Sequence, residues 1–158
     1  MKLRLLDQTA LFDLKCSRDV LSNLEIPGFP PIPDTPNTRT ELNGHEIYWV
    51  GDKHFLFRTK LSDEKLWHNS LKQIEERGLI SQSLVSDIYN FFEFNGEDVI
   101  EFLASITSLD LANLANSSSC FSHALGIKTL FIRRELGFEL AFEHCYLEMV
   151  REQFYSYL

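Results

Sequence analysis

The chain of 158 residues is short of several things at once. It has three cysteines, Cys16, Cys120 and Cys145, far apart and without CxxC spacing. An odd, scattered count argues against a disulfide framework and fits a reducing, cytoplasmic setting. Cations are also scarce: 15 Lys plus Arg face 23 Asp plus Glu, a net charge of −8. Phosphate backbones and anionic lipids are held by clustered positive charge, so neither nucleic acid nor a membrane surface is an expected partner. No run reaches the ~18 apolar residues of a membrane span. The start, Met1-Lys2-Leu3-Arg4-Leu5-Leu6-Asp7, lacks the apolar stretch of a signal peptide. Glycine-rich phosphate loops, a GxSxG elbow and an HExxH helix are all missing, so no nucleotide cradle, hydrolase elbow or zinc-protease helix is indicated.

What is present suits a folded domain. Hydrophobic residues make up 44% and charged residues 24%, and 13 phenylalanines point to a bulky core or a ring-rich interface. A chain of this size buries roughly 68–70% of its unfolded surface without disulfides or metals. It makes one domain of ordinary size, or at most two very small ones.

All five prolines fall between residues 27 and 36. That segment is either a stiff extended arm or a loop wrapped over a surface, since proline lacks a donor and fixes φ. Phe29 and Ile32 are its candidate anchors on a partner chain. Deleting 27–36 is expected to weaken assembly more than it lowers the melting point.

Before the arm, residues 11–16 alternate loosely as a strand. From residue 44 the pattern sharpens. Residues 45–50 and 53–58 are aromatic and β-branched and read as a hairpin about Gly51-Asp52. Ser62-Asp63-Glu64 caps a helix over 63–77 with Leu66, Trp67, Leu71 and Ile74 at helical spacing, ended by Gly78. Leu84 to Phe94 comes next, and its Ile88, Tyr89, Phe91, Phe92 and Phe94 favour a strand buried on both faces. Asn95-Gly96-Glu97-Asp98 opens a helix whose stripe is Val99, Phe102, Leu103 and Ile106. Strands at 120–127, 128–134 and 137–142 follow, and a last helix carries Tyr146, Met149, Val150, Phe154 and Tyr157 on one face. This order predicts an α+β fold, a two-layer ferredoxin-like or split βαβ sandwich over 44–158, with residues 1–43 as an N-terminal extension. No internal repeat is visible.

The residues that could carry chemistry do not converge. Cys120 with His123, and His144 with Cys145, would make a zinc site only if the two segments met. On a strand, positions 120 and 123 face opposite ways, and buried cysteines are the simpler reading. Cys145, beside His144 at a helix start, is the best-placed thiol nucleophile. Lys128, Arg133 and Arg134 form a basic patch that is either a charge-guarded edge strand or a contact for an acidic surface. Trp49, Phe102 and Phe154 are expected core or interface anchors. With no acid and base side by side, the chain reads as a binding or assembly domain.

One stretch resembles a known family. It runs from Asp87 through Phe94-Asn95-Gly96-Glu97-Asp98-Val99-Ile100-Glu101-Phe102-Leu103 to Leu109-Asp110-Leu111. It is similar to the folate-dependent aminomethyltransferase-like domains, and among them to the gamma-subunit family of heterotetrameric sarcosine oxidases. The turn Trp49-Val50-Gly51-Asp52, the segment from Cys120 to Leu125-Gly126, and the closing helix from Tyr146 to Leu158 follow the same sequence of blocks. The chain departs from that family at Ser122-His123, at Val99 and in the proline-rich arm. The resemblance implies a subunit that carries no cofactor itself, with FAD, FMN, NAD, tetrahydrofolate and zinc on alpha, beta and delta partner chains. It implies an assembly that oxidatively demethylates N-methyl amino acids and passes the one-carbon unit to tetrahydrofolate. A stand-alone folate- or small-ligand-binding domain is the alternative.

Overall fold

The structure is a computed structural model and describes residues 1–156. Tyr157 and Leu158, the end of the expected apolar face, lie outside the described residues. The strands are β1 (Lys2–Leu5), β2 (Ala10–Lys15), β3 (Arg39–Leu42), β4 (His45–Gly51), β5 (His54–Thr59), β6 (Ser81–Leu84), β7 (Tyr89–Asn95), β8 (Ser119–Ala124), β9 (Ile127–Arg134) and β10 (Gly137–Glu143). The helices are α1 (Arg18–Asn23), α2 (Glu64–Glu76), α3 (Val99–Ala104) and α4 (Leu147–Tyr155). The expected α+β class holds, and it is built on two five-stranded sheets, ordered β1-β7-β10-β9-β8 and β3-β4-β5-β2-β6.

The chain divides into two units. One holds Met1–Gln8, Asp87–Asn116 and the chain from Phe121 onward; the other holds Thr9–Ser86 and Ser117–Cys120. The expected boundary at residue 44 does not coincide with this division. β2 lies inside its sheet, between β5 and β6, and β1 borders β7. Residues 1–43 therefore contribute to both units rather than extending from one.

In the Thr9–Ser86 unit, antiparallel pairing runs through β4, β5, β2 and β6. The β3–β4 hairpin turns on Asn43-Gly44, with φ of 52° and 80°. Both central residues of this turn type need positive φ, which asparagine and glycine tolerate best. Trp67, Leu71 and Ile74 recur at helical spacing and bury one face of α2 with Phe12, Phe55 and Phe57. Leu66, expected on that face, points outward and is 66% exposed. The helix enters through a 3-10 turn, Leu61–Asp63, and Asp63 makes no side-chain cap. Gly78, at φ 74°, closes the other end, donating to the Glu75 carbonyl at 2.8 Å as expected.

In the other unit, β10 pairs with β7 over seven residues, from Gly137 opposite Asn95 to Glu143 opposite Tyr89. Val99 and Leu103 of α3 and Val150 and Phe154 of α4 are buried. Phe102 is half-buried, and Met149 and Tyr146 are exposed.

The two units share one plan, which corrects the reading that the chain has no repeat. From β1 to α2 the order is strand, strand, helix, three strands, helix, and from β6 to α4 it is the same. Sheet orders correspond as well: β3-β4-β5-β2 in one unit and β8-β9-β10-β7 in the other. The first strands are exchanged, so that β6 borders β2 while β1 borders β7. The repeat escapes the sequence because turns and burial recur without the residues. Leu125-Gly126, at φ 54° and 74°, stands where the first half has Asn43-Gly44.

Candidate functional site

Several titratable side chains pair off instead of converging. Among the described residues no group of three or more His, Cys, Asp or Glu could hold a metal ion. Glu64 takes the Ser86 hydroxyl at 2.7 Å, and Ser86 Oγ accepts the Leu11 amide at 3.0 Å, which ties the start of α2 to β2. His45 Nδ1 lies 2.7 Å from Thr59 Oγ1, and His144 Nδ1 lies 2.7 Å from Asn90 Oδ1.

Asp13 and His54 face each other across β2 and β5 at 3.0 Å, with Lys15 beside them at 3.6 Å. Partial burial raises the Asp13 pKa, but the hydrogen bond and charge of His54 together with Lys15 outweigh it and hold the carboxyl below its ordinary range. A carboxyl depressed in the folded state stabilises the fold above its unfolded pKa, and that contribution is lost as pH falls through the folded value. Asp13→Asn is therefore expected to lower stability at pH 7 and to flatten the acid-side fall below about pH 4. Urea unfolding at stepped pH checks this, and an unchanged acid limb would show that the pair carries no linkage.

The cysteines differ in access. Burial pushes the Cys16 thiol up to about 11 and raises that of Cys120, whereas Cys145 is exposed with its sulfur 3.9 Å from Glu143 Oε2. Thiolate is the reactive form. Iodoacetamide at pH 8 should label Cys145 in the native chain and reach Cys16 only on unfolding. Rapid native labelling of Cys16 would contradict its burial.

The expected interface residues are placed as follows. Phe29 packs on Phe57 and Trp67, with ring centroids 4.6 and 5.8 Å away, and Ile32 rests on the same core. The arm is thus a loop wrapped over its own unit. Arg18 straps it by donating to the Pro33 carbonyl at 2.8 Å and pairing with Asp34 at 2.7 Å, and Thr40 donates to the Pro31 carbonyl. Deleting 27–36 would strip Phe29 from the core, so the expected separation of assembly from stability does not hold for that deletion. Trp49 is half-buried, stacked on Phe55 at 5.5 Å, and its indole N–H donates to the Gly51 carbonyl. Arg134 pairs with Glu139 at 2.8 Å. Arg133 lies 4.6 Å over the Phe138 ring and donates to the Gly137 carbonyl at 3.2 Å. Their strand, β9, is second from the edge rather than an edge strand. Phe154 is fully enclosed by its own unit.

Open grooves remain among the described residues, and three of them each lie within one unit. One of about 380 Å³ runs between residues 24–27 and α2, under Leu66 and Trp67. A second, about 460 Å³, follows the arm past Arg18, Phe29 and Ile32. The third, about 390 Å³, lies in the other unit between the α3 start and the β9–β10 turn, lined by Val99, Ile100, Arg133, Leu136 and Gly137 among others. Leu136 was not singled out from the sequence. Its signal was an apolar residue at the tip of a hairpin, where turn chemistry favours Asn, Asp or Gly.

No family model matches the sequence, and no curated protein matches it either. A solved structure does, through its fold. A chain of the heterotetrameric sarcosine oxidase from Corynebacterium sp. U-96, in complex with pyrrole 2-carboxylate, superposes with a TM-score of 0.80. The match covers 93% of this chain and 77% of that chain, at 15% identity. The two chains share a fold. The coverages make the matched chain roughly one-fifth longer than this one. Among the described residues no helix is long and apolar enough to cross a membrane.

Proposed function

We propose that this chain is a non-catalytic, gamma-like subunit of a heterotetrameric flavin-dependent oxidase of the sarcosine oxidase type. The fold likeness to one chain of such an assembly, along nearly the whole length, carries the reading. The assembly demethylates an N-methyl amino acid by oxidation and delivers the one-carbon unit to tetrahydrofolate. Alpha, beta and delta partner chains hold FAD, FMN, NAD, tetrahydrofolate and zinc. Two features support a structural rather than a chemical role for this chain. His45, His54, Asp13 and Glu64 are spent in pairs that fasten strands and a helix start, and the grooves beside α2 and at the β9–β10 turn are lined mainly by apolar surface and open to solvent.

The test is purification through a tag on this chain from its own source. The expected result is co-elution with larger flavin-bearing chains, sarcosine-dependent bleaching of the flavin in that complex, and no turnover by the chain alone. A chain that elutes alone, binds tetrahydrofolate and turns over substrate would replace this reading with that of a free-standing one-carbon domain.

A further inference from the structure

The groove at the β9–β10 turn stands out from the other two. Leu136 is 76% exposed at the hairpin tip, and Ile100 across the groove is 37% exposed. The corresponding tip in the other half of the repeat, between β4 and β5, is Asp52-Lys53, both exposed and polar. An apolar tip is therefore particular to this unit and is not demanded by the turn. It exposes a large apolar side chain without a packing gain inside the unit, which is how functional positions commonly show themselves.

The surroundings of these two side chains set the partner's chemistry. Glu97 and Glu135 line the groove, and both are exposed. Glu101 is exposed on the adjoining α3, whereas Asp98 just before it pairs with the Met1 ammonium at 3.8 Å. The cation of the lining, Arg133, is turned inward to the Gly137 carbonyl and the Phe138 ring. The apolar floor is thus rimmed by negative charge on a chain whose net charge is −8. The tip is also held in place: the Gly96 amide reaches the Leu136 carbonyl at 3.5 Å, and Gly137 lies against the β7 backbone. A surface fixed before binding loses little freedom when it docks.

We infer that this groove is the docking site for a protein segment of a larger partner chain, one that presents a bulky apolar side chain flanked by lysine or arginine. The apolar side chain seats between Leu136 and Ile100, and the flanking cations meet Glu97 and Glu135. This rests on the reading of the chain as a subunit. It adds which face is used and the partner's chemistry there.

The experiment isolates the native complex through a tag on this chain and follows the flavin-bearing chains retained at rising salt. Three forms are compared: wild type, Leu136→Asp and the double variant Glu97→Lys with Glu135→Lys. Asp52→Lys, at the other tip, is the control, and an unchanged melting point of each tagged chain shows that it folds. Leu136→Asp should weaken retention by about tenfold or more, as for a central apolar anchor. The charge reversal should slow association by about tenfold at low salt. If both variants hold the flavin-bearing chains as tightly as wild type, the docking site is wrong while the subunit reading stands. If the wild-type chain elutes alone, the subunit reading fails and this inference with it.

Discussion

Gly137→Ala should lower the unfolding free energy by about 3 kcal/mol or more, at the upper end of what overpacking costs. A Cβ at this position would stand 1.9 Å from the Phe94 carbonyl oxygen, 2.8 Å from Asn95 Oδ1 and 2.9 Å from the Phe94 carbonyl carbon. Two of these atoms are backbone of β7, so no side-chain rotation relieves the clash. Relief requires β10 to move away from β7 at the end of a seven-residue ladder. Gly126 supplies the contrast. Nothing lies within 4 Å of a Cβ there, but its φ is 74°, so Gly126→Ala meets only the left-handed backbone penalty of about 1–2 kcal/mol. Urea unfolding of the two variants separates close approach from conformational strain. A Gly137→Ala midpoint equal to that of Gly126→Ala would mean that the strands do not meet this closely. Because Gly137 follows Leu136, the same variant should also misplace the hairpin tip proposed to seat a partner.

The central elements were legible in the sequence because their burial is strong. The hairpin of β4 and β5, the helix α2 with Trp67, Leu71 and Ile74, the strand β7 and the pair β9 and β10 all stand within a few residues of where periodicity puts them. What was missed lies at the margins. β1, β3 and β6 are four-residue strands at sheet edges, largely exposed or half-buried, and a half-solvated strand of Lys-Leu-Arg-Leu or Ser-Gln-Ser-Leu carries little apolar signal. α1 is a six-residue helix, too short for a periodic stripe. Its Ser17 cap, whose side chain accepts the Val20 amide, was the one local mark. The repeat was illegible for a different reason. Packing asks for an apolar residue of suitable size, not a particular one, so Trp67 of α2 is answered by Val150 at the same place in α4, and Leu71 by Phe154.

The candidate site was legible only in outline. That Asp13 and His54 stand 3.0 Å apart could not be read from the spacings, because the pairing of β2 with β5 brings together residues 41 apart in the chain. Nor could which apolar groups face outward, because a stripe of leucines and phenylalanines looks alike whether a sheet or a solvent groove lies beyond it. Phe29, Ile32 and Phe154 were natural choices for a partner surface from sequence. All three are drawn inward by aromatic clusters assembled from strands distant in the chain.

Phe154→Ala tests the sharpest of these reassignments, with an expected loss of about 3–5 kcal/mol for an enclosed phenylalanine. The ring of Phe154 meets Phe94 at 5.0 Å, Phe92 at 5.4 Å and Phe142 at 5.7 Å, in each case edge to face. Those partners lie on β7 and β10, so this side chain fastens α4 to its sheet. Truncation leaves a void lined by rings that cannot easily close over it, and α4 should detach before the sheet melts. Phe102 sits at the rim, 6.1 Å from Phe154 and half-buried, so Phe102→Ala should cost less. The double variant should show a coupling of about 0.5–1.5 kcal/mol, the range of aromatic pairs in contact. A residue at a partner surface behaves in the opposite way: its truncation weakens assembly and leaves the isolated chain's stability within about 0.5 kcal/mol. Urea unfolding of the isolated chain decides between them, because a stable Phe154→Ala chain that no longer assembles would return Phe154 to the interface.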